Sequence, residues 1–459
     1  MQRTDVRVRG RGFAAALLAA GIAAGPAVGP AAADTIREQQ WHLDTMKASE
    51  IWQTSKGRGI TVAVVDGGFR LDHPDLVGQL LPGKDLSGLP GGIGVDKSGH
   101  GTGIAGLIAG SGKGLGGKGA YGLAPDARIL PIKININDDP AQPIDASGYL
   151  KQVSQGITYA ADQGAKVINV SSVAGSSGIS MGDIAELENS VKYANGKGAL
   201  VVAGAGNSGQ QGNPVLYPAA LPSIVAVAAA DRAGTATDES EHGSQIDIAA
   251  PGVDIFTSCV AESGYCKKHG TSDATALVSA SAALLWAVHP DWAPNQIARV
   301  LINTAGKPKD GSSRTDFIGY GIVRPRVALT EPGDPGPADV NPLIEPAGGV
   351  TPSAPTGSPS PASSLSASPS ASASASAPAS AAPVPPEKDG GSGSGTALVA
   401  AGVGGLVLVA VVVVVVVRRR RAPVVPQPQP PSAHPRGQVP PPPSYGPPAP
   451  PSGDNPYTR

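Results

Sequence analysis

The stretch Ile60-Thr-Val-Ala-Val-Val-Asp66-Gly-Gly68 decides the fold class. Its β-branched run shows no alternation of apolar and polar positions, so it reads as a strand covered on both faces. Ala127–Lys133, Lys166–Val170, Ala199–Ala203 and Ser223–Ala228 have the same character, and helical stretches lie between these runs at His100–Ala109, Ile144–Gln163 and Ile184–Asn195. Buried strands interleaved with helices predict an α/β fold, a parallel sheet with helices on both faces. In such sheets chemistry gathers at the carboxyl ends of the strands. Asp66 follows the first strand there, Ser171 the third, and Gly204-Ala-Gly-Asn207 the fourth.

Three residues in this arrangement suit nucleophilic catalysis. Asp66 is a carboxylate at a strand end, followed by glycines that permit a sharp turn; His100 opens a Gly-rich helix in Ser98-Gly-His-Gly-Thr-Gly-Ile-Ala-Gly106; Ser272 follows Gly270-Thr271 and opens an Ala-rich helix, Asp273–His289. A hydroxyl is a weak nucleophile at neutral pH. It needs a base to take its proton and a buried anion to orient that base. A serine at a helix N-terminus also has unpaired N–H groups and the positive dipole end beside any developing oxyanion. Asn207, on a Gly-rich turn, adds a side-chain amide donor.

With those residues in place, the chain resembles the subtilisin family of serine peptidases. The order Asp, His, Ser is the subtilisin order. The motifs stand at Val64-Val-Asp66-Gly, Gly99-His-Gly-Thr102 with Ala105-Gly106, Gly206-Asn207, Ala250-Pro-Gly252 and Gly270-Thr-Ser272. The resemblance implies a subtilisin-like parallel sheet, a catalytic triad of Asp66, His100 and Ser272, an oxyanion hole completed by Asn207, and a substrate cleft along Ser171, Ser172, Val173 and Gly204. The residues call for no cofactor and no metal, and no carboxylate cluster compels a calcium site.

More narrowly, the chain resembles the mycosins, the membrane-anchored subtilisins associated with type VII secretion. The likeness runs through the Gln40-Trp-His-Leu-Asp-Thr-Met46 entry, the peptidase domain, Cys259 and Cys266 beside the serine, a Pro-rich linker and an apolar C-terminal segment. Only residues 34 to 59 separate the expected cleavage site from the first strand, too few for a folding prodomain. In mycosins the corresponding extension wraps the domain.

The chain departs from the family at several points. Asp273 follows the nucleophile where an apolar residue is usual, and Ala276 replaces a proline. An aspartate in a first helical turn suits the dipole, so a solvent-facing cap is the expected arrangement. The alternative sets its charge against the oxyanion and raises the pKa of His100. Val173 stands where a glycine would let a peptide lie close, which predicts selective cleavage. His269 and His73 read as turn residues, and Asp238, Glu239 and Glu241 as a solvated loop.

Outside the folded segment, composition sets the topology. Arg3, Arg7, Arg9 and Arg11 precede an apolar run and Ala31-Ala-Ala33, which reads as a signal peptide over residues 1–33. The peptidase domain with its N-terminal extension is expected over 34–330, and a Pro/Ser/Ala/Gly-rich disordered linker over 331–396. Residues 397–417 end in seven valines and are long enough to cross a bilayer; Arg418 to Arg421 then hold a Pro-rich tail, 418–459, on the cytoplasmic side. The domain is thus expected outside the cell membrane. The two cysteines, Cys259 and Cys266, lie in the segment facing the oxidising side, and their short separation fits a disulfide-closed loop rather than zinc. A net charge of −1 with dispersed Lys and Arg excludes a nucleic-acid partner. Protein or peptide substrates and a secretion complex remain as partners. The competing reading is a scaffold of that complex with secondary or lost catalysis.

Overall fold

The computed structural model describes residues 35–344. The expected signal peptide, the expected linker from residue 345 on, the apolar segment 397–417 and the expected tail lie outside the described residues. The strands are β1 (Thr61–Asp66), β2 (Lys84–Asp85), β3 (Arg128–Lys133), β4 (Val167–Val170), β5 (Ala174–Gly175), β6 (Leu200–Gly204), β7 (Leu216–Tyr217), β8 (Val225–Ala230), β9 (Ile248–Pro251), β10 (Ile255–Ser258) and β11 (Tyr265–Lys268). The helices are α1 (Ile36–Gln39), α2 (Trp41–Thr45), α3 (Ala48–Thr54), α4 (His100–Ala109), α5 (Gly114–Gly117), α6 (Ala146–Asp162), α7 (Met181–Gly196), α8 (Thr271–Val288), α9 (Pro294–Asn303) and α10 (Pro325–Thr330).

Seven strands form one sheet in the order β2-β3-β1-β4-β6-β8-β9, with every pairing parallel. The unbroken apolar strands have the expected cause. Along β1, Val62 and Val64 face a core built with α4, α8 and α9, while Ala63 and Val65 face a second core built with α6 and α7. Both faces of a parallel strand are therefore dry, and no polar position interrupts it.

Helix α8 runs through the first core with Leu277, Leu284, Leu285 and Trp286 fully buried. Each such side chain contributes roughly 1.5–3 kcal/mol by leaving water. Among the described residues this is the helix long and apolar enough to cross a membrane, and it lies inside the domain instead.

Two segments differ from expectation. Residues 331–344, assigned to the linker, stay with the domain: Arg299 on α9 donates to the carbonyls of Pro335, Pro337 and Val340, and Gln296 donates to that of Gly336. Backbone carbonyls of a Pro-rich strip have no N–H partners in a ladder, so side chains on α9 satisfy them. The edge strand β9 and the strands of the β10–β11 hairpin, each four residues long, are further elements beyond those expected. The segment ahead of β1 packs on the domain: Trp41, Leu43, Met46 and Ile51 are buried, and the Trp41 indole donates to the carbonyls of Val253 and Asp254.

Candidate active site

The register of the sheet brings the candidate residues together. Val65 lies opposite Val170, and Val170 opposite Ala203, so Asp66, Ser171 and the Gly204–Asn207 turn leave neighbouring strand ends. Helix α4 begins beside them with His100, and α8 with Thr271 and Ser272.

Asp66 is fully buried. Its carboxylate accepts from His100 Nδ1 at 2.8 Å and 2.9 Å on its two oxygens and from the Gly67 N–H at 2.7 Å. Burial works against an imidazolium at His100, but the charge and hydrogen bond of Asp66 outweigh it, and the charge of Asp273 adds to them. The His100 pKa therefore lies above its ordinary value, with Lys268 opposing the rise. The close approach of α4 explains Gly101: a Cβ there would stand 2.2 Å from the Gly68 carbonyl oxygen and 3.1 Å from Asp66 Cβ.

Two neighbours escaped the sequence reading. Asp96 holds the start of α4 by accepting from Gly99 N, Thr102 N and Thr102 Oγ1. An aspartate just ahead of a helix start is a capping signal that was available. Lys268 donates to the Gly99 carbonyl at 2.8 Å, tying β11 to the turn before His100. Nothing local in the sequence announces that contact, because it spans the whole domain.

Ser272 occupies the first turn of α8, where N–H groups have no intrahelical acceptor. Its Oγ donates to the Ser171 carbonyl at 2.8 Å, and Ser171 Oγ donates to the Ser272 carbonyl at 3.2 Å. The hydroxyl thus points along β4's exit rather than to His100. Beneath this pair runs a buried chain: Ser279 Oγ donates to Asn169 Oδ1 at 2.9 Å, and Asn169 Nδ2 donates to Ser171 Oγ at 2.8 Å. Asn169 and Ser279 were missed because they lie inside a buried strand and an Ala-rich helix, where nothing local marks their pairing.

Asn207 accepts from the Thr271 N–H through Oδ1 at 2.9 Å. That contact fixes the orientation of the amide and leaves Nδ2 as the free donor. Gly270 adopts φ 125°, and a Cβ there would lie 3.0 Å from Asn207 Nδ2. Glycine is required at that position. Of the cleft residues, Ser171 and Gly204 are buried, Ser172 Oγ bonds Tyr149 Oη at 2.9 Å, and Val173 is half-buried just before β5.

Asp273 does not adopt the expected solvent-facing position. It is 2% exposed and Oδ2 has no hydrogen-bond partner. Burial pushes its pKa up from 3.8 to about 6, although the charges of His100, Lys268 and His269 pull it back down. Helix dipoles are worth about 0.3–1 kcal/mol to such a residue, less than the cost of desolvating the carboxylate. Glu241 is a second correction: it is buried rather than solvated, and its pKa is raised by burial. Asp238 is exposed, as expected of a solvated loop. His269 is an exposed turn residue paired with Glu239 at 2.9 Å, and His73 is buried, with Nε2 bonded to the Gly264 carbonyl.

Cys259 and Cys266 are joined by a disulfide with an Sγ–Sγ distance of 2.04 Å. Cys266 lies in β11 opposite Thr257 of β10, so the bond closes the hairpin that leads into Gly270.

Residues 57–321 match the subtilase family. The chain belongs to that family. This subtilase is 36% identical to thermitase of Thermoactinomyces vulgaris over 278 residues, 59% of this chain and 89% of thermitase. Among solved structures it is similar to MycP1 from Mycobacterium smegmatis (27% identity, TM-score 0.58, covering 68% of this chain and 89% of that one). It is also similar to the MycP3 protease from the type VII (ESX-3) secretion system (29% identity, TM-score 0.55, 66% and 90%). The subtilase is a serine endopeptidase that resembles the mycosins.

Proposed function

We propose that Asp66, His100 and Ser272 are the catalytic triad of this peptidase and that Asn207 completes its oxyanion hole. The observation that carries the reading is the doubly accepted His100 Nδ1 contact with the buried Asp66 carboxylate, at 2.8 and 2.9 Å. It fixes the tautomer with Nδ1 protonated and Nε2 free as base.

In the reaction, substrate enters and Ser272 Oγ turns from the Ser171 carbonyl toward His100 Nε2. The hydroxyl proton passes to Nε2 as Oγ attacks the scissile carbonyl. Asn207 Nδ2 and the Ser272 N–H donate to the oxyanion. The imidazolium, stabilised by Asp66, then protonates the departing amine, and the peptide C–N bond breaks. Water deacylates the enzyme by the same steps, with His100 again taking and returning the proton. Ser171, Ser172, Val173 and Gly204 line the approach of the substrate backbone, and Val173 narrows it.

We further propose the topology expected above: a signal peptide over 1–33, an extracytoplasmic domain, and a single span over 397–417 with the tail in the cytoplasm. The substrates are then selected exported proteins, and the resemblance to mycosins supports a type VII secretion membrane complex as partner. A scaffolding role with weak catalysis draws support from one observation, the buried charge of Asp273 beside the nucleophile.

The test is hydrolysis of casein by the full-length protein against Ser272→Ala and His100→Ala. Both variants are expected to lose activity by at least about 10³-fold. Unchanged hydrolysis in either would remove that residue from the mechanism. External protease should release the domain from intact cells and spare a tag after Arg459; loss of the tag would overturn the topology.

A further inference from the structure

The surface holds two adjoining cavities at and beyond the loop that leads into Ser272. The nearer, about 390 Å³, is lined by Glu239, Lys268 and His269, the last only three residues before Ser272. The farther, about 630 Å³, is lined by Thr235, Ala236, His242, Lys307, Phe317 and Ile318. Gln210, Thr237 and Asp238 line both. The two therefore share a wall, and the surface runs from the nucleophile's loop into the larger hollow.

The larger hollow has the size of a small-ligand pocket, and much of its lining is apolar side chain. Phe317 is 56% exposed. It is not loose, because its ring stacks on His242 at 5.1 Å between centroids and 19° between planes. An exposed aromatic fixed in this way is an anchor site held ready for a partner group. Below it, Ile318 and Ile322 belong to a small separate cluster with Ala205, which directly follows β6, and Ala228 of β8. The Ile318 and Ile322 floor of the hollow thus packs on Ala205, in the same β6 exit that carries Asn207.

We propose that this hollow is an exosite that holds an apolar or aromatic side chain of the polypeptide being cleaved, at a distance from the scissile bond. Continuity with the cavity lined by Lys268, which donates to the Gly99 carbonyl next to His100, identifies the occupant as the substrate chain itself. The inference rests on the peptidase reading above. It assigns to the hollow part of the selectivity for which the narrowed cleft at Val173 is the other part. Substrate binding energy gathered here acts only on chains long enough to reach it.

The experiment compares two probes with the full-length protein: casein, which can span both cavities, and a short peptidyl p-nitroanilide, which ends at the scissile bond. Phe317→Ala removes the anchor, and Thr235→Trp fills the hollow from an exposed position. Each variant should lower kcat/KM for casein by about tenfold, mainly through KM, as loss of one apolar anchor does. Turnover of the p-nitroanilide should stay within about twofold, which also shows that the variants fold. Equal losses on both probes, or an unchanged casein rate in either variant, would overturn the exosite. A change in sedimentation of the wild-type chain that Phe317→Ala abolishes would assign the hollow to a second copy and likewise overturn it. Failure of the wild-type chain to cleave either probe would fall on the peptidase reading instead.

Discussion

Replacing Asp273 with Asn should stabilise the protein in a pH-dependent way and shift the acid limb of its activity. The carboxylate is 2% exposed, Oδ2 has no partner, and burial raises its pKa from 3.8 to about 6. The folded state therefore binds this proton more tightly than the unfolded chain does. The sign follows: stability falls as pH rises from about 4 through about 6, then stays lower. The rise corresponds to about 3 kcal/mol. Asn keeps the shape without the charge, and any cost of its own amide is the same at every pH. Relative to the native protein, the melting temperature of Asp273→Asn should thus be higher at pH 8 than at pH 4 by about 5 °C, at roughly 2 °C per kcal/mol for a large domain. The same change removes one of the negative charges that raise the His100 pKa, so the acid limb of kcat/KM should move to lower pH. Calorimetry at the two pH values and a pH–rate profile decide the matter. Parallel melting curves with an unmoved acid limb would show that the carboxylate is solvated and the reasoning wrong.

Three further outcomes are expected. Asn207→Ala should lower kcat by about 10²–10³-fold with little change in KM, since it removes a donor used in the transition state; a loss confined to KM would assign Asn207 to ground-state binding. Replacing both Cys259 and Cys266 with Ser should cost at most about 3 kcal/mol in denaturant unfolding, the loop entropy of so short a closure, and an unchanged midpoint would refute the bracing role. Asp247 is buried, and burial raises its pKa from 3.8 to about 7 against the pull of the Ala226 N–H and the Arg314 charge. Stability should therefore decline between about pH 4 and pH 7 on its account, and Asp247→Asn should flatten that decline; an equally steep curve would contradict it.

Much of the frame was legible because it is local. Runs such as Ile60–Val65 state their own burial, and the five motifs each sit at a strand end or helix start, where backbone geometry forces glycine or a polar residue. What remained hidden depends on distant packing. Whether Asp273 faces water is decided by the tertiary packing that buries it, and His100, whose charge acts on it, lies far away in sequence, so a first-turn aspartate looked like an ordinary cap. Glu241 misled for the same reason: its charged neighbours in sequence are on the surface, while its own side chain turns under Ser208, whose N–H it accepts at 3.2 Å. The Asn169–Ser279 chain is invisible in the sequence pattern because Ser279 and Ser171, the partners of Asn169, come together only through the packing of α8 against β4.

The central claim is that Ser272 is the nucleophile, activated by His100 and Asp66. A fluorophosphonate probe incubated with the full-length protein, followed by proteolysis and mass spectrometry, tests it directly. The account predicts a single phosphonylated residue, Ser272, with labelling abolished by Ser272→Ala and slowed at least about 10³-fold by His100→Ala. Modification at another serine, or labelling that survives Ser272→Ala, would contradict it.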